Sequence, residues 1–146
     1  MAAEPMTILL AEDDEGHAVL VKRNLIRAGI SNEIVHVTDG QEAIDYVRRE
    51  GKHANRSMGG SLLLVLDINM PCLDGVQVLQ QIKADQNTAM TPVIMLTTTD
   101  DPREIQRCYE FGCSVYITKP VDYEQFVEAV KRLGLFLQVV RMPAEK

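Results

Sequence analysis

Five short apolar runs divide this chain, and between them the apolar residues recur at helical spacing. The first run, TILLA at residues 7–11, is continuous rather than alternating, the pattern of a parallel strand covered on both faces. After it, Ala18, Val21 and Leu25 share one face of a helix predicted to reach about Arg27, with Gly29 as its stop. Residues 33–37 (EIVHV) read as the second strand. Asp39 then opens a helix, and Glu42 three residues later completes a capping-box pattern. Ala43, Ile44 and Val47 give that helix its buried stripe, and Gly51 ends it. Residues 51–61 (GKHANRSMGGS) are polar and aperiodic, which predicts an exposed loop.

LLLVL at residues 62–66 is the strongest strand pattern and runs directly into Asp67. The helix after it should bury Val76, Leu79 and Ile82. PVIML, from Pro92, predicts a fourth strand ending at Thr97. Asp101-Pro102-Arg103-Glu104 is a helix start, with a carboxylate cap and proline in the first turn, and Gly112 closes that helix. SVYIT at residues 114–118 is the fifth strand, and a last helix opens at Asp122 with Gln125 in a second capping position. This alternation predicts an α/β fold, a flavodoxin-like doubly wound five-stranded parallel sheet in the order 2-1-3-4-5 with five helices.

The 146 residues fit one domain, with a core over about 6–133 and an extension of the last helix and tail over 134–146. Composition is that of an ordinary globular chain, 46% hydrophobic and 25% charged. A net charge of −6 without any basic run argues against nucleic acid as a partner. The apolar stretch from Ile8 to Ala11 is too short for a signal peptide or a membrane span, so no membrane partner and a cytoplasmic location are expected. Cys72, Cys108 and Cys113 lack metal-ligand spacing and read as reduced thiols.

The predicted topology brings remote acids together. Ligands of open α/β sheets sit outside the carboxyl ends of the strands, where the strand order reverses, here between strands one and three. Strand one ends in Glu12-Asp13-Asp14 and strand three in Asp67. Two such charges about 4 Å apart repel by ~4 kcal/mol at an effective dielectric near 20. Clusters of this kind hold a cation or share a proton, and hard oxygen donors suit Mg²⁺. Asp67 is a carboxylate nucleophile able to form an aspartyl-phosphate. Thr97 at the end of strand four can donate a hydrogen bond to a phosphoryl oxygen, and Lys119 after strand five can place a positive charge on it. Each residue alone would serve equally as a helix cap or a solvated strand end. Suitable chemistry at four strand ends on one edge decides for a phosphoryl site.

The motifs ILLAEDD, LLLVLDINMPCLDG, PVIMLTT and YITKP, in this order over nearly the whole chain, resemble the receiver domains of bacterial response regulators. The resemblance implies that Asp67 is the phosphoacceptor and that Glu12, Asp13, Asp67 and the backbone carbonyl of Asn69 form the Mg²⁺ site. It also makes Thr97 and Tyr116 a switch pair, Lys119 the phosphate-binding lysine, and the Lys119–Pro120 bond cis. Glu12 stands where many receivers have Asp, and Thr98 where a smaller residue is frequent, so the latter narrows access to the phosphoacceptor. The long loop after the second helix, the block TTTDDPREIQRCYEFGCSVYITKPVDY and the tail LFLQVVRMP look like stand-alone regulators paired with bacteriophytochromes. A sensor histidine kinase is the implied partner.

Phe126, Val130, Leu133 and Leu137 already supply a core stripe to the last helix, while Leu135, Phe136, Val139 and Val140 add apolar surface elsewhere. That surplus predicts a homodimer through the last helix and tail, against a tail folded back on its own domain. No effector segment is expected after it, so output would pass through protein contacts. A phosphorylatable switch is therefore expected rather than an enzyme. The alternatives are an aspartate-nucleophile phosphatase, disfavoured because Asn69 cannot act as the acid two residues after Asp67, and a non-phosphorylated dimeric scaffold.

Overall fold

The structure, a computed structural model, describes residues 6–27, 31–54, 61–97 and 101–118, together with residues 124, 125 and 128. Strands β1 (Thr7–Ala11), β2 (Ile34–Val37), β3 (Leu62–Asp67), β4 (Val93–Thr97) and β5 (Val115–Thr118) pair in parallel in the order β2-β1-β3-β4-β5. Four α-helices alternate with them: α1 (Glu15–Arg27), α2 (Gly40–Arg48), α3 (Gly75–Ala84) and α4 (Pro102–Glu110). Residues 124, 125 and 128 are helical where the fifth helix is expected. The stop at Gly29, the cap at Asp122 and the apolar surface of the tail lie outside the described residues.

The continuous apolar runs are explained by two cores, one on each side of the sheet. Ile8, Leu10, Leu63, Val65, Ile94 and Leu96 pack against Ala18, Val21 and Leu25 of α1. Leu9, Leu64, Leu66, Val93 and Met95 face the opposite way, against Ala43, Ile44, Val76, Leu79, Ile82 and Cys108. Because successive strand residues point to opposite faces, a strand covered on both sides must be apolar at every position. Each fully buried aliphatic side chain contributes about 1.5–3 kcal/mol. β4 starts one residue later than expected, since Pro92 has no N–H for the ladder, although its carbonyl accepts from Leu64 at 3.1 Å. β2 likewise starts at Ile34, with the Glu33 carbonyl accepting from Ile8 at 2.9 Å.

The expected exposed loop after α2 opens with a 3-10 turn at Gly51–His53. The helix already stops at Arg49, a non-glycine residue in the left-handed region (φ 59°), and Gly51 follows with φ 57°. The 3-10 turn sets the His53 ring edge-on to Tyr46 at 4.9 Å. It also draws Lys52 and His53 to the Glu42 carboxylate, at 2.7 and 3.3 Å. Asp39 caps the Glu42 N–H at 2.7 Å as expected, but Glu42 itself accepts from Thr38 N–H at 3.3 Å, so the capping box is only half formed. The complete box belongs to α3, between Asp74 and Gln77. At α4, Asp101 caps the Arg103 N–H at 2.9 Å, and Gly112 (φ 100°) follows the helix.

Candidate functional site

Register alone carries the site residues to one edge of the sheet. Ala11 pairs with Leu66, so the next residues, Glu12 and Asp67, leave the sheet side by side. Asp67 pairs in turn with Leu96, which puts Thr97 one step beyond it on β4. Thr97 pairs with Thr118, the last residue of β5.

The expected carboxylate cluster forms. One oxygen from each of Glu12, Asp13 and Asp67 lies within 4.8 Å of the others. Glu12 and Asp67 are almost wholly buried, at 1% and 4% exposure, while Asp13 faces solvent. Asp14, the third acid of that run, has a different task. Its Oδ1 accepts the His17 N–H at 2.9 Å and its carbonyl accepts the Ala18 N–H at 2.9 Å, so it caps the first turn of α1.

Backbone groups hold the two buried carboxylates. The Asp14 N–H donates to Glu12 Oε2 at 3.2 Å, and the Asn69 N–H donates to Asp67 Oδ1 at 3.3 Å. The Glu12 main chain is pinned as well: its N–H donates to Val37 at 3.0 Å, and the His36 ring nitrogen Nε2 hydrogen-bonds its carbonyl at 2.7 Å. The imidazole of His17 stands at the mouth of the site, with Nδ1 3.8 Å from Glu12 Oε1.

A short loop joins Asp67 to α3, and glycine makes it possible. A methyl group at Gly75 would collide with the Asp67 carbonyl oxygen and the Ile68 Cα. Its N–H instead donates to the Ile68 carbonyl at 2.7 Å. Within the loop Cys72 takes a left-handed conformation (φ 68°), uncommon for a residue with a Cβ. Gly40 closes the other side, where a Cβ would overlap the backbone of Leu73.

Thr97, at 1% exposure, and half-buried Tyr116 share a side-chain hydrogen bond. Burial pushes the Tyr116 hydroxyl pKa up, and the bond from Thr97 opposes that shift in part. The Tyr116 N–H also donates to the Tyr109 hydroxyl of α4 at 3.2 Å. Lys119, Pro120 and Thr98 lie outside the described residues.

The donor set fits a small hard divalent ion: three carboxylates converge, two of them shielded from water, with no cysteine or histidine among the three. Sequence reasoning missed His17, whose place four residues after Asp13 puts it one helical turn from the cluster. It also missed Gly75 and Cys72, although the Asp-Gly pair at residues 74–75 is a recognisable turn signal.

An acidic crevice thus lies at the switch point of a doubly wound sheet, where ligands of such sheets bind, with the Thr97 hydroxyl on the next strand. Residues 8–131 match the model of the response regulator receiver domain, and the chain belongs to that family. It is 35% identical over 133 residues to the probable methanogenesis regulatory protein FilR2 of Methanothrix harundinacea, covering 90% of this chain and 83% of that protein. It is 30% identical over 141 residues to response regulator Rcp1 of Synechocystis, covering 96% and 95%. Among solved structures, the bacteriophytochrome response regulator RtBRR aligns with a TM-score of 0.84 at 37% identity, over 96% of this chain and 84% of that one. The Mn²⁺-bound form of Rcp1 aligns with a TM-score of 0.73 at 29% identity, over 96% and 100%. The phosphorylated cyanobacterial phytochrome response regulator RcpA aligns with 0.75 at 33%, over 96% and 99%.

Proposed function

We propose that this receiver domain is a phosphorylatable switch whose phosphoacceptor is Asp67. The observation that carries the reading is the position of Asp67, buried at the end of β3 within 4.8 Å of two further carboxylates. In the reaction, a carboxylate oxygen of Asp67 attacks the phosphorus of a phosphohistidine on a sensor histidine kinase. The P–N bond breaks, its electron pair stays on the imidazole nitrogen, and an acyl phosphate forms on Asp67. Glu12, Asp13, Asp67 and the Asn69 carbonyl are the proposed holders of Mg²⁺. When bound, that ion neutralises charge on the phosphoryl oxygens. Thr97 donates its hydroxyl to a phosphoryl oxygen, and Tyr116, its hydrogen-bond partner, responds to the change. Lys119 supplies the remaining positive charge.

The relatives support two finer points. Two of the aligned structures are of phytochrome or bacteriophytochrome regulators, which favours a bacteriophytochrome as the kinase. A Mn²⁺-bound relative and a phosphorylated one favour metal-dependent phosphorylation. Val19, Leu20 and Ile26 are exposed on α1, the helix that begins beside the site, and offer a surface to a protein partner. The surplus apolar positions after residue 133 support a homodimer through the last helix and tail, with residues 6–133 as the receiver core. A cytoplasmic location accords with this role, and no helix among the described residues is long and apolar enough to cross a membrane.

Intact-mass measurement after incubation with acetyl phosphate and Mg²⁺ tests the reading. One phosphoryl group should be gained by the wild type and none by Asp67→Asn. Steady hydrolysis of unrelated phosphoesters would favour a phosphatase, and absence of any adduct a scaffold.

A further inference from the structure

His36 grips the main chain that carries two of the three clustered carboxylates. It sits on β2, an edge strand of the sheet, opposite Leu10 of β1. Its half-buried ring leans two residues further along β1, where Nε2 lies 2.7 Å from the Glu12 carbonyl oxygen. A carbonyl oxygen only accepts, so Nε2 carries the proton and donates it. Pairing of β1 with β3 ends at Ala11. Just beyond it, both main-chain groups of Glu12 are tied to β2, the N–H to the Val37 carbonyl at 3.0 Å and the carbonyl to His36. A peptide unit is planar, so fixing the Glu12 carbonyl also fixes the N–H and Cα of Asp13. The Asp14 N–H, which donates to Glu12 Oε2 at 3.2 Å, holds the next unit. Asp13 faces solvent, so its direction comes from these two peptide units rather than from packing.

We propose that His36 is a positioning residue for the carboxylate site: its Nε2–H, bonded to the Glu12 carbonyl, presets the Glu12–Asp13 peptide and so raises the affinity for Mg²⁺. The inference rests on the metal-site reading given above and extends it to a residue outside the donor set. Groups that orient ligands without touching the ion change metal affinity by about 10–100-fold. Magnesium keeps several of its waters and takes few protein oxygens, so the direction of each oxygen counts. Without the His36 bond the Glu12–Asp13 peptide is free to turn, and binding must then order Asp13 as well as hold the ion. A ring that only filled space beside β1 would act on folding stability and leave the affinity alone.

Calorimetric titration of the full chain with Mg²⁺ tests the proposal, using the wild type, His36→Leu, His36→Gln, His36→Asn and Asp13→Asn. Urea unfolding of each in chelator supplies the stability reference. His36→Leu should weaken Mg²⁺ binding roughly tenfold, and His36→Gln, whose amide nitrogen reaches as far as Nε2, should stay within about a factor of three of the wild type. His36→Asn, one carbon shorter, should resemble His36→Leu. Phosphorylation by acetyl phosphate should need more Mg²⁺ for half-saturation in His36→Leu, with the rate at saturating Mg²⁺ close to that of the wild type. Nitrogen-15 NMR of the wild type, under conditions where the ring is neutral, should show the Nε2–H tautomer of His36. Unchanged Mg²⁺ affinity in His36→Leu, an equal loss in His36→Leu and His36→Gln, or an Nδ1–H tautomer would each overturn the proposal. Should His36→Leu fail to fold, the contrast between His36→Gln and His36→Asn and the tautomer decide. Mg²⁺ binding that is indifferent to Asp13→Asn would instead indict the carboxylate site itself, and the proposal with it.

Discussion

Replacing Asp67 by asparagine removes one charge from the acidic cluster while keeping the shape of the side chain and an oxygen for the Asn69 N–H. At a separation of 4.8 Å and an effective dielectric of about 20, a pair of carboxylates repels by about 3.5 kcal/mol. The Glu12–Asp67 pair is the one that matters, because both groups are nearly sealed from water. The exposed Asp13 adds less, since solvent screens it. Small side-chain movements relieve some of the repulsion in the wild type, so a net gain of about 1–3 kcal/mol is expected for Asp67→Asn without metal. For a domain of this size that corresponds to roughly 3–10 °C in Tm. Thermal melts followed by circular dichroism, first with a chelator and then across a Mg²⁺ titration, measure it. The wild type should rise with Mg²⁺, while Asp67→Asn should start higher and respond less. A lower Tm for Asp67→Asn in chelator would refute the picture of mutually repelling buried carboxylates.

Gly75→Ala forces a methyl group against the Asp67 carbonyl and should cost about 1–3 kcal/mol in urea unfolding, with slower phosphorylation. Of the three thiols, only exposed Cys72 should react with a thiol reagent in the native protein. Burial pushes Cys108 up to about 11 and Cys113 up to about 12, so both should wait for unfolding. Burial works against ionisation of Glu42, yet its hydrogen bonds from Lys52, Thr38 and His53 hold its carboxyl below the usual value of 4.5. A depressed folded-state pKa stabilises above the unfolded value and is lost as pH falls through the folded one. The stability difference between wild type and Glu42→Gln should therefore be full at neutral pH and shrink below about pH 4.5, as read by urea titrations at several pH values.

The strand order and the acidic cluster were legible because both follow from pattern and register. Continuous apolar runs mark strands covered on two faces, and once β1 lies beside β3, Glu12 must meet Asp67. What stayed hidden depends on contacts made by chain reversal. The end of α2 at Arg49 and the capture of Glu42 by Lys52 and His53 require a 3-10 turn in a segment whose polar composition signalled only a loop. The division of labour between Asp13 and Asp14 was legible only through the family resemblance, since adjacent acids look alike until the start of α1 claims one of them. His17 went unnoticed because a lone histidine on an exposed helical turn carries no pattern.

Residues 68–74 are clamped at both ends by glycines that admit backbone where a side chain would stand: Gly75 against Asp67 and Ile68, Gly40 against Leu73. The segment therefore has a fixed contour length. One added residue would have to bulge into α2 or lift the start of α3 off β3, and either would carry Asp67 and Asn69 out of alignment. Substitutions can be absorbed at outward positions such as Cys72, but insertions and deletions cannot. Divergence in this stretch is then confined to changes of side chain at constant length.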